Sequence, residues 1–474
     1  MRFKTTITIL LSLLSLSGVK AQNIPGTINE FNLEVTIAGQ KGKKMYLGQY
    51  FREATYARDS VIVSNSGKAI FTAKEKYPEA QYFIYIEPDI RADLLIGDDQ
   101  KDIQITLNSA NPQKSTVSGS SDTKLLWNYL NWAADNDKKK ASLEKQLYDP
   151  KTTDKKKADL EKEITAEEET SLKYVENLIT DNKDNWFGTF LKGMTPVALP
   201  HPSPENEQDF AENIQYGRVH YFDNIDLTDQ RLWSTNYLTS IIDSYMQQWV
   251  DQTPDSLAME ASKLVAKTNS NEFCYKEMLT YLINSAISSD RMGDENIWAR
   301  LFEEYIFNAK HRPDWIDSAQ MIDLQKMYEK VKDNRIGMKA HNLILTTLIG
   351  DTIKTNDIEA DYLILYFYSH DCNHCIMETP VLHDKLYKKY KDKGVQVVAI
   401  DLKGEDKEEW EKFVETNKIA NWINVADPMY KSQYWIYYDI SKIPSVFVLD
   451  KNKKIVAKKL ESKGLGEFFD YYIK

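Results

Sequence analysis

In the stretch LILYFYSHDCNHCIMETPVL, residues 363 to 382, Cys372 and Cys375 are separated only by Asn373 and His374. Two thiols one helical turn apart can close a disulfide on each other and pass it to another thiol pair, or act as two soft ligands of a metal ion. The chain has three cysteines in 474 residues, so a four-cysteine zinc site is excluded. His370, Asp371, Cys372, His374, Cys375 and His383 keep a copper- or zinc-binding metallochaperone open as the alternative. Residues on one short turn and helix seldom converge tetrahedrally, which favours the redox reading. No threonine-containing loop of the PxxxTxxC kind precedes Cys372, which argues against a peroxidatic thiol. The third cysteine, Cys274, lies between Phe273 and Tyr275 in a helix-patterned segment. It reads as a buried small hydrophobe, with a reactive thiol as the minority alternative.

The elements that must position the pair follow from pattern. YLILYFY is an apolar, β-rich run and predicts a buried strand, and a helix is predicted over Asn373 to Lys391. Downstream the chain alternates: strand VQVVAIDL, helix KEEWEKFVETN, a short helix near YKSQYWIYY, strands SVFVLD and KIVAKKL, and a last helix LGEFFDYYI. Such alternation marks an α/β domain, assigned to residues 336 to 474.

Two further regions precede it. Residues 1 to 21 carry Arg2 and Lys4, an apolar run from Ile7 to Leu16, and the small-residue pattern Val19-Lys20-Ala21. That pattern is a secretory signal peptide, too short to span a membrane, with cleavage expected after Ala21. No cysteine follows the apolar run, so lipid attachment there is not expected. From 22 to 115 short alternating runs such as FNLEVTIAG, AQYFIYIEP and KDIQITLN, separated by turn residues, predict an all-β sandwich-like domain. From 120 to 335 the composition shifts to Lys, Glu, Leu and Ala at helical spacing, with a break at Asp149-Pro150. Its Lys138 to Lys140 and Glu167 to Glu169 runs read as solvated helix faces. The expected fold is therefore multi-domain: an N-terminal all-β domain, a helical middle domain and a C-terminal α/β domain.

Cleavage would remove Arg2, Lys4 and Lys20 and no acid, taking the formal charge from −11 to −14. An acidic surface of this kind argues against nucleic acid as a partner. Export lets a disulfide persist. Three cysteines are too few to staple a chain this long, which leaves one pair with a specific task.

A CxxC that follows a buried strand and opens a helix is the arrangement of a thioredoxin-like redox site. The chain from about residue 336 resembles the thioredoxin fold, and in particular the exported TlpA/ResA-like thiol:disulfide oxidoreductases. The resemblance rests on YFYSHDCNHC, on Glu378 and Pro380 three and five residues past the second cysteine, and on KIPSVFVLD. In the last of these Ile443-Pro444 takes the place of the family's cis-proline. The regions before residue 336 look like accessory domains attached to such modules, and a non-catalytic protein in which those domains hold a ligand or partner and the thioredoxin module is a relic stands as a second alternative. There are departures: Asp371 stands where a tryptophan usually precedes the first cysteine, Tyr366 replaces the buried aspartate of cytosolic thioredoxins, and Asn-His replaces Gly-Pro.

The resemblance implies an exported, periplasmic enzyme that exchanges disulfides with client proteins and is fed by a membrane thiol donor. No cofactor is expected beyond a Cys372–Cys375 disulfide, and no transmembrane segment. Residue chemistry assigns the roles independently. The free N–H groups and dipole of a helix start favour an anion, which makes Cys372 the attacking thiol. Cys375, more enclosed, resolves the mixed disulfide. His374 as imidazolium would stabilise the thiolate and make the disulfide more oxidising, and His370 is either a surface residue or a second electrostatic contributor. Glu378 is expected to take a proton from Cys375, Pro380 to kink the helix, and Ile443 and Pro444 to hold an extended client segment beside the thiols.

Overall fold

The computed structural model describes residues 31–308 and 313–473. The signal-peptide assignment to residues 1 to 21 lies outside the described residues. The chain forms two compact units, one running to Val250 and including Ala266–Glu277, the other made of Asp251–Val265 and Met278 onward. Among the described residues, no helix is long and apolar enough to cross a membrane.

The first unit holds two four-stranded sheets and the helices that follow them. Strand β1 (Phe31–Ile37) alternates buried and half-buried residues, as FNLEVTI requires, because successive side chains point to opposite faces. It pairs antiparallel with β4 (Lys68–Ala73) and parallel with β7 (Ile103–Leu107), and β8 (Thr116–Ser118) completes that sheet. The second sheet orders β3 (Ala54–Ile62), β2 (Lys44–Phe51), β5 (Ala80–Ile86) and β6 (Ile90–Ile96). Gly48 of β2 lies directly opposite Phe83 of β5, and a Cβ there would come within 2.1 Å of the Phe83 ring. Only glycine leaves room for the ring. The long helices Ser121–Leu147 and Asp154–Asp181 are capped by the side chains of Ser120 and Thr153, and Pro150 lies in the turn that separates them. Their lysine and glutamate runs face each other: Lys139 pairs with Glu167, and Lys140 with Glu168 at 2.5 Å. Such exposed pairs contribute at most about 1 kcal/mol each, so the runs are chiefly a solvated face.

The second unit contains a seven-stranded sheet that carries the CxxC. Its order is β10 (Thr352–Lys354), β9 (Ile344–Thr347), β13 (Ile423–Ala426), β12 (Val395–Asp401), β11 (Tyr362–Tyr368), β14 (Ser445–Asp450) and β15 (Ile455–Lys458). β11 runs parallel to β12 and antiparallel to β14. Both faces of β11 are covered, so the strand reads as a continuous apolar run. Ile364, Tyr366 and Tyr368 enter one core with Cys375, Leu386 and Trp422, while Leu363, Leu365 and Phe367 enter the other with Tyr438 and Phe447. On the edge strand, the buried Lys458 ammonium pairs with Glu295 at 2.8 Å and donates to the Asn334 carbonyl at 3.0 Å. Strands β9, β10 and β13 have no counterpart in the sequence reading. At three or four residues each, they are too short to show a period.

One buried acid in the first unit has a measurable consequence. Asp122, in the first turn of the helix Ser121–Leu147, is buried and accepts the Phe187 N–H at 2.7 Å. Burial raises its pKa to about 6, against the opposing pull of that N–H. A carboxyl whose folded pKa lies above its unfolded value of about 3.9 contributes stability that is complete below about 3.9 and lost as pH rises through 6. Asp122→Asn keeps an acceptor for Phe187 and removes the titration. In urea unfolding followed by tryptophan fluorescence, the variant should gain on the wild type as pH rises from about 4 to about 7. A difference that does not change with pH would show that Asp122 titrates normally.

Candidate active site

β11 ends at Tyr368, the chain turns through Ser369 to Asp371, and the helix Asn373–Val381 begins. Cys372 is its N-cap, in extended conformation, and its Sγ accepts the Cys375 N–H at 3.4 Å. Sulfur thus occupies the place where a hydroxyl or carboxylate oxygen usually satisfies a free helix N–H. Cys372 is half-buried, whereas Cys375 is completely buried. Burial, reinforced by a hydrogen bond to Cys372, pushes the Cys375 thiol up to about 12. At neutral pH Cys375 is a protonated thiol.

The Ile443–Pro444 peptide is cis and leads into β14. The Ile443 carbonyl oxygen lies 4.0 Å from Cys372 Sγ. The structure therefore gathers Cys372, Cys375 and Ile443-Pro444 at one place. His374 is exposed on the first turn of the helix, followed by exposed Ile376 and Met377. Pro380 does not end the helix: it continues into a wide, π-type turn over Leu382–Tyr387, in keeping with the N–H that proline lacks.

Glu378 is half-buried, and its Oε1 accepts the N–H of Ser462, the first residue of the helix Ser462–Tyr472, at 2.7 Å. That helix has no side-chain cap of its own at Glu461, so Glu378 satisfies its start from outside. Tyr366, at the position of the thioredoxin aspartate, is buried and hydrogen-bonds Thr379 Oγ1 at 2.9 Å. Thr379 in turn donates to the Cys375 carbonyl at 2.7 Å. Burial holds the Tyr366 phenol in its neutral form.

The remaining polar residues of the motif have separate partners. His370 is nearly buried, and its Nδ1 donates to Asp401 Oδ2 at 2.8 Å. Asp371 is bound by the Lys403 ammonium and by Ser369 Oγ, and these hold its carboxyl down at about 2. His383 is buried beside Asp384 and Trp422. Among the described residues, no three of these or other His, Cys, Asp or Glu side chains converge as a metal would require. Asp401 and Lys403 have no place in the sequence reading. Their only signal is position, since they lie at the carboxyl end of a predicted parallel strand, the same end of the sheet as the CxxC. Cys274 is fully buried, and burial raises its thiol to about 12, as the hydrophobe reading requires.

A family model described as thioredoxin-like matches residues 360–455. The thiol-disulfide oxidoreductase ResA of Bacillus thuringiensis is 30% identical over 125 residues, which cover 26% of this chain and 68% of that protein. ResA of Bacillus cereus is 28% identical over 152 residues, 32% of this chain and 83% of that protein. Among solved structures, a domain of a possible thiol-disulfide isomerase from Cytophaga hutchinsonii is 40% identical, covering 29% of this chain and 92% of that one, with a TM-score of 0.27. A thioredoxin-like protein from Bacteroides caccae is 20% identical, covering 59% of this chain and 98% of that one, with a TM-score of 0.42. Identity of this extent over most of a relative's length places the CxxC helix in a known lineage: through its C-terminal third, the chain belongs to the ResA family of thiol-disulfide oxidoreductases.

Proposed function

We propose that the protein acts outside the cytosol, in the periplasm, and exchanges disulfides with client proteins through Cys372 and Cys375. The observation that carries the reading is the inequality of the two thiols. One is reachable and sits at a helix N-terminus, while the other is enclosed one turn later and held as a thiol.

In the reducing direction, the Cys372 thiolate attacks one sulfur of a client disulfide. That S–S bond breaks, and the departing client sulfur takes a proton from solvent. Cys375 then gives up its proton and attacks Cys372 Sγ, the second client sulfur leaves, and two electrons have passed to the client. The resulting Cys372–Cys375 disulfide is returned to the dithiol by a membrane thiol donor. The same steps reversed oxidise a client, and the reduction potential of the pair decides which way they run. An extended client segment beside Ile443, next to the attacking sulfur, would hold its own sulfur in line.

Cys372→Ser should abolish exchange, whereas Cys375→Ser should accumulate mixed disulfides with clients, resolved on non-reducing gels and released by dithiothreitol. Equal trapping by both variants would overturn the assignment of roles.

His374 bears on direction. A positive charge beside the helix start stabilises the reduced, thiolate-bearing form, and removing it favours the disulfide. For this couple about 30 mV corresponds to a tenfold change in equilibrium constant. His374→Pro should therefore shift the potential, measured against glutathione, toward more reducing values by some tens of millivolts. The side chain is exposed, so solvent limits the shift. A potential equal to the wild type's would make His374 a bystander.

A further inference from the structure

The exchange mechanism needs a proton acceptor for Cys375, whose thiol is sealed from solvent. We propose that Asp401, oriented by His370, accepts the Cys375 proton as the mixed disulfide is resolved. The inference rests on the exchange reading above and adds to it a carboxylate on a different strand from the one the thioredoxin resemblance would supply.

The placement follows from sheet register. Asp401 is the last residue of β12 and pairs directly with Tyr368, the last residue of β11. Registered neighbours in a sheet project from the same face. Tyr368 enters the core that contains Cys375, so Asp401 projects from the face of the sheet covered by the CxxC helix. Its side chain is 0% exposed. One carboxylate oxygen accepts from the His370 ring at 2.8 Å, the other from the Lys403 backbone N–H at 2.9 Å. The charge of Asp401 acts on both the Cys375 thiol and the Tyr368 phenol. An ionised carboxylate is costly to bury unless pairing offsets it, and a buried acid bonded to an imidazole on the sheet face that a dithiol covers is an arrangement suited to proton transfer.

The other titratable groups around the pair can be placed. The Lys403 ammonium is bound to Asp371, and the charges of Glu405 and Asp401 also act on it. Tyr434 feels the Asp401 charge from the start of the short helix Tyr434–Tyr437, and the Tyr368 hydroxyl accepts from Trp410 Nε1 at 3.0 Å. Glu378 is committed to Ser462, and Tyr366 to Thr379.

In the step itself, the Cys375 S–H proton passes to the Asp401–His370 pair. The Cys375–Cys372 bond forms as the bond from Cys372 to the client sulfur breaks, and the electron pair of the broken bond leaves on the client sulfur. The proton then moves from the pair to solvent or to the departing thiolate. No redox partner beyond the client is required.

The reduced full-length protein mixed with the aromatic disulfide 5,5′-dithiobis(2-nitrobenzoate) should release thionitrobenzoate in two phases, first by attack of Cys372 and then by displacement by Cys375. Across pH 5.5 to 9.5, Asp401→Asn should leave the first phase unchanged. The second phase should slow by about tenfold or more near pH 6.5 and recover about tenfold per pH unit as hydroxide takes over. His370→Asn should move the second phase in the same direction by less. It serves as the deciding variant if Asp401→Asn does not fold. A second-phase pH profile that matches the wild type's in the folded variant would overturn the proposal. So would a slowed second phase in Glu378→Gln with Asp401→Asn unaffected, because the proton would then go to Glu378. Absence of the first phase in the wild type would instead sink the exchange reading itself.

Discussion

The site depends on one hydrogen bond, from the Cys375 N–H to Cys372 Sγ. It exists because a strand buried on both faces ends where a helix begins, which leaves the N-cap in extended conformation and the next turn helical. An N-cap side chain reaches the outside of the turn, while the residue three positions on lies on the face that packs against the sheet. The same bond therefore sets one sulfur in reach of solvent and the other in the core. A pair of cysteines at this spacing in the middle of a helix would lack the N-cap position, on which the proposed division between attack and resolution rests.

The core that encloses Cys375 also accounts for the polar groups near it. Ile364, Tyr366 and Tyr368 alternate into one face of β11, so the two phenols beneath the CxxC helix must find partners inside the protein. Tyr366 bonds Thr379, which ties the helix backbone at the Cys375 carbonyl. Tyr368 accepts from Trp410, which draws in the helix Lys407–Thr416. A neutral hydrogen-bonded phenol costs little to bury, whereas an aspartate at position 366 would set a charge against the thiol from directly below. The carboxylate near this dithiol instead enters from the end of β12, where an imidazole and a backbone N–H can both reach it.

Much of this was legible in the sequence. The run YLILYFY is the strand to the residue, and the alternation after it gives the α/β domain, because a strand buried on both faces needs no period to be recognised. The thiol pair was legible because its chemistry is tied to a fixed spacing, whereas the proline before β14 was legible only through the resemblance to the thioredoxin fold. What escaped is of two kinds. β9, β10 and β13 owe their place to neighbouring strands, since three or four residues show no period of their own. The partners of Glu378 and His370, 84 and 31 residues away, are set by tertiary register, which spacing does not encode. Glu378 illustrates the limit: its place on the helix was readable, but the Ser462 amide that engages it was not.

The surroundings of Cys372 bear on how a client would be held. Within the exchange reading, the polar group from outside the CxxC helix that reaches Cys372 Sγ is the Ile443 backbone carbonyl, and the side chains exposed on the first turns after the thiols include Ile376 and Met377. Asp371, the acid closest in sequence, is neutralised by Lys403 and so does not set the sign of the surface there. Recognition built from main-chain pairing and a methionine and isoleucine contact is indifferent to most client side chains, because every extended peptide offers the same hydrogen-bonding edge and methionine adapts its shape to what it meets. Within the exchange reading, such a surface would choose clients by whether a segment bearing sulfur can extend beside Ile443, a test that a mispaired or partly unfolded chain would pass more readily than a compact one.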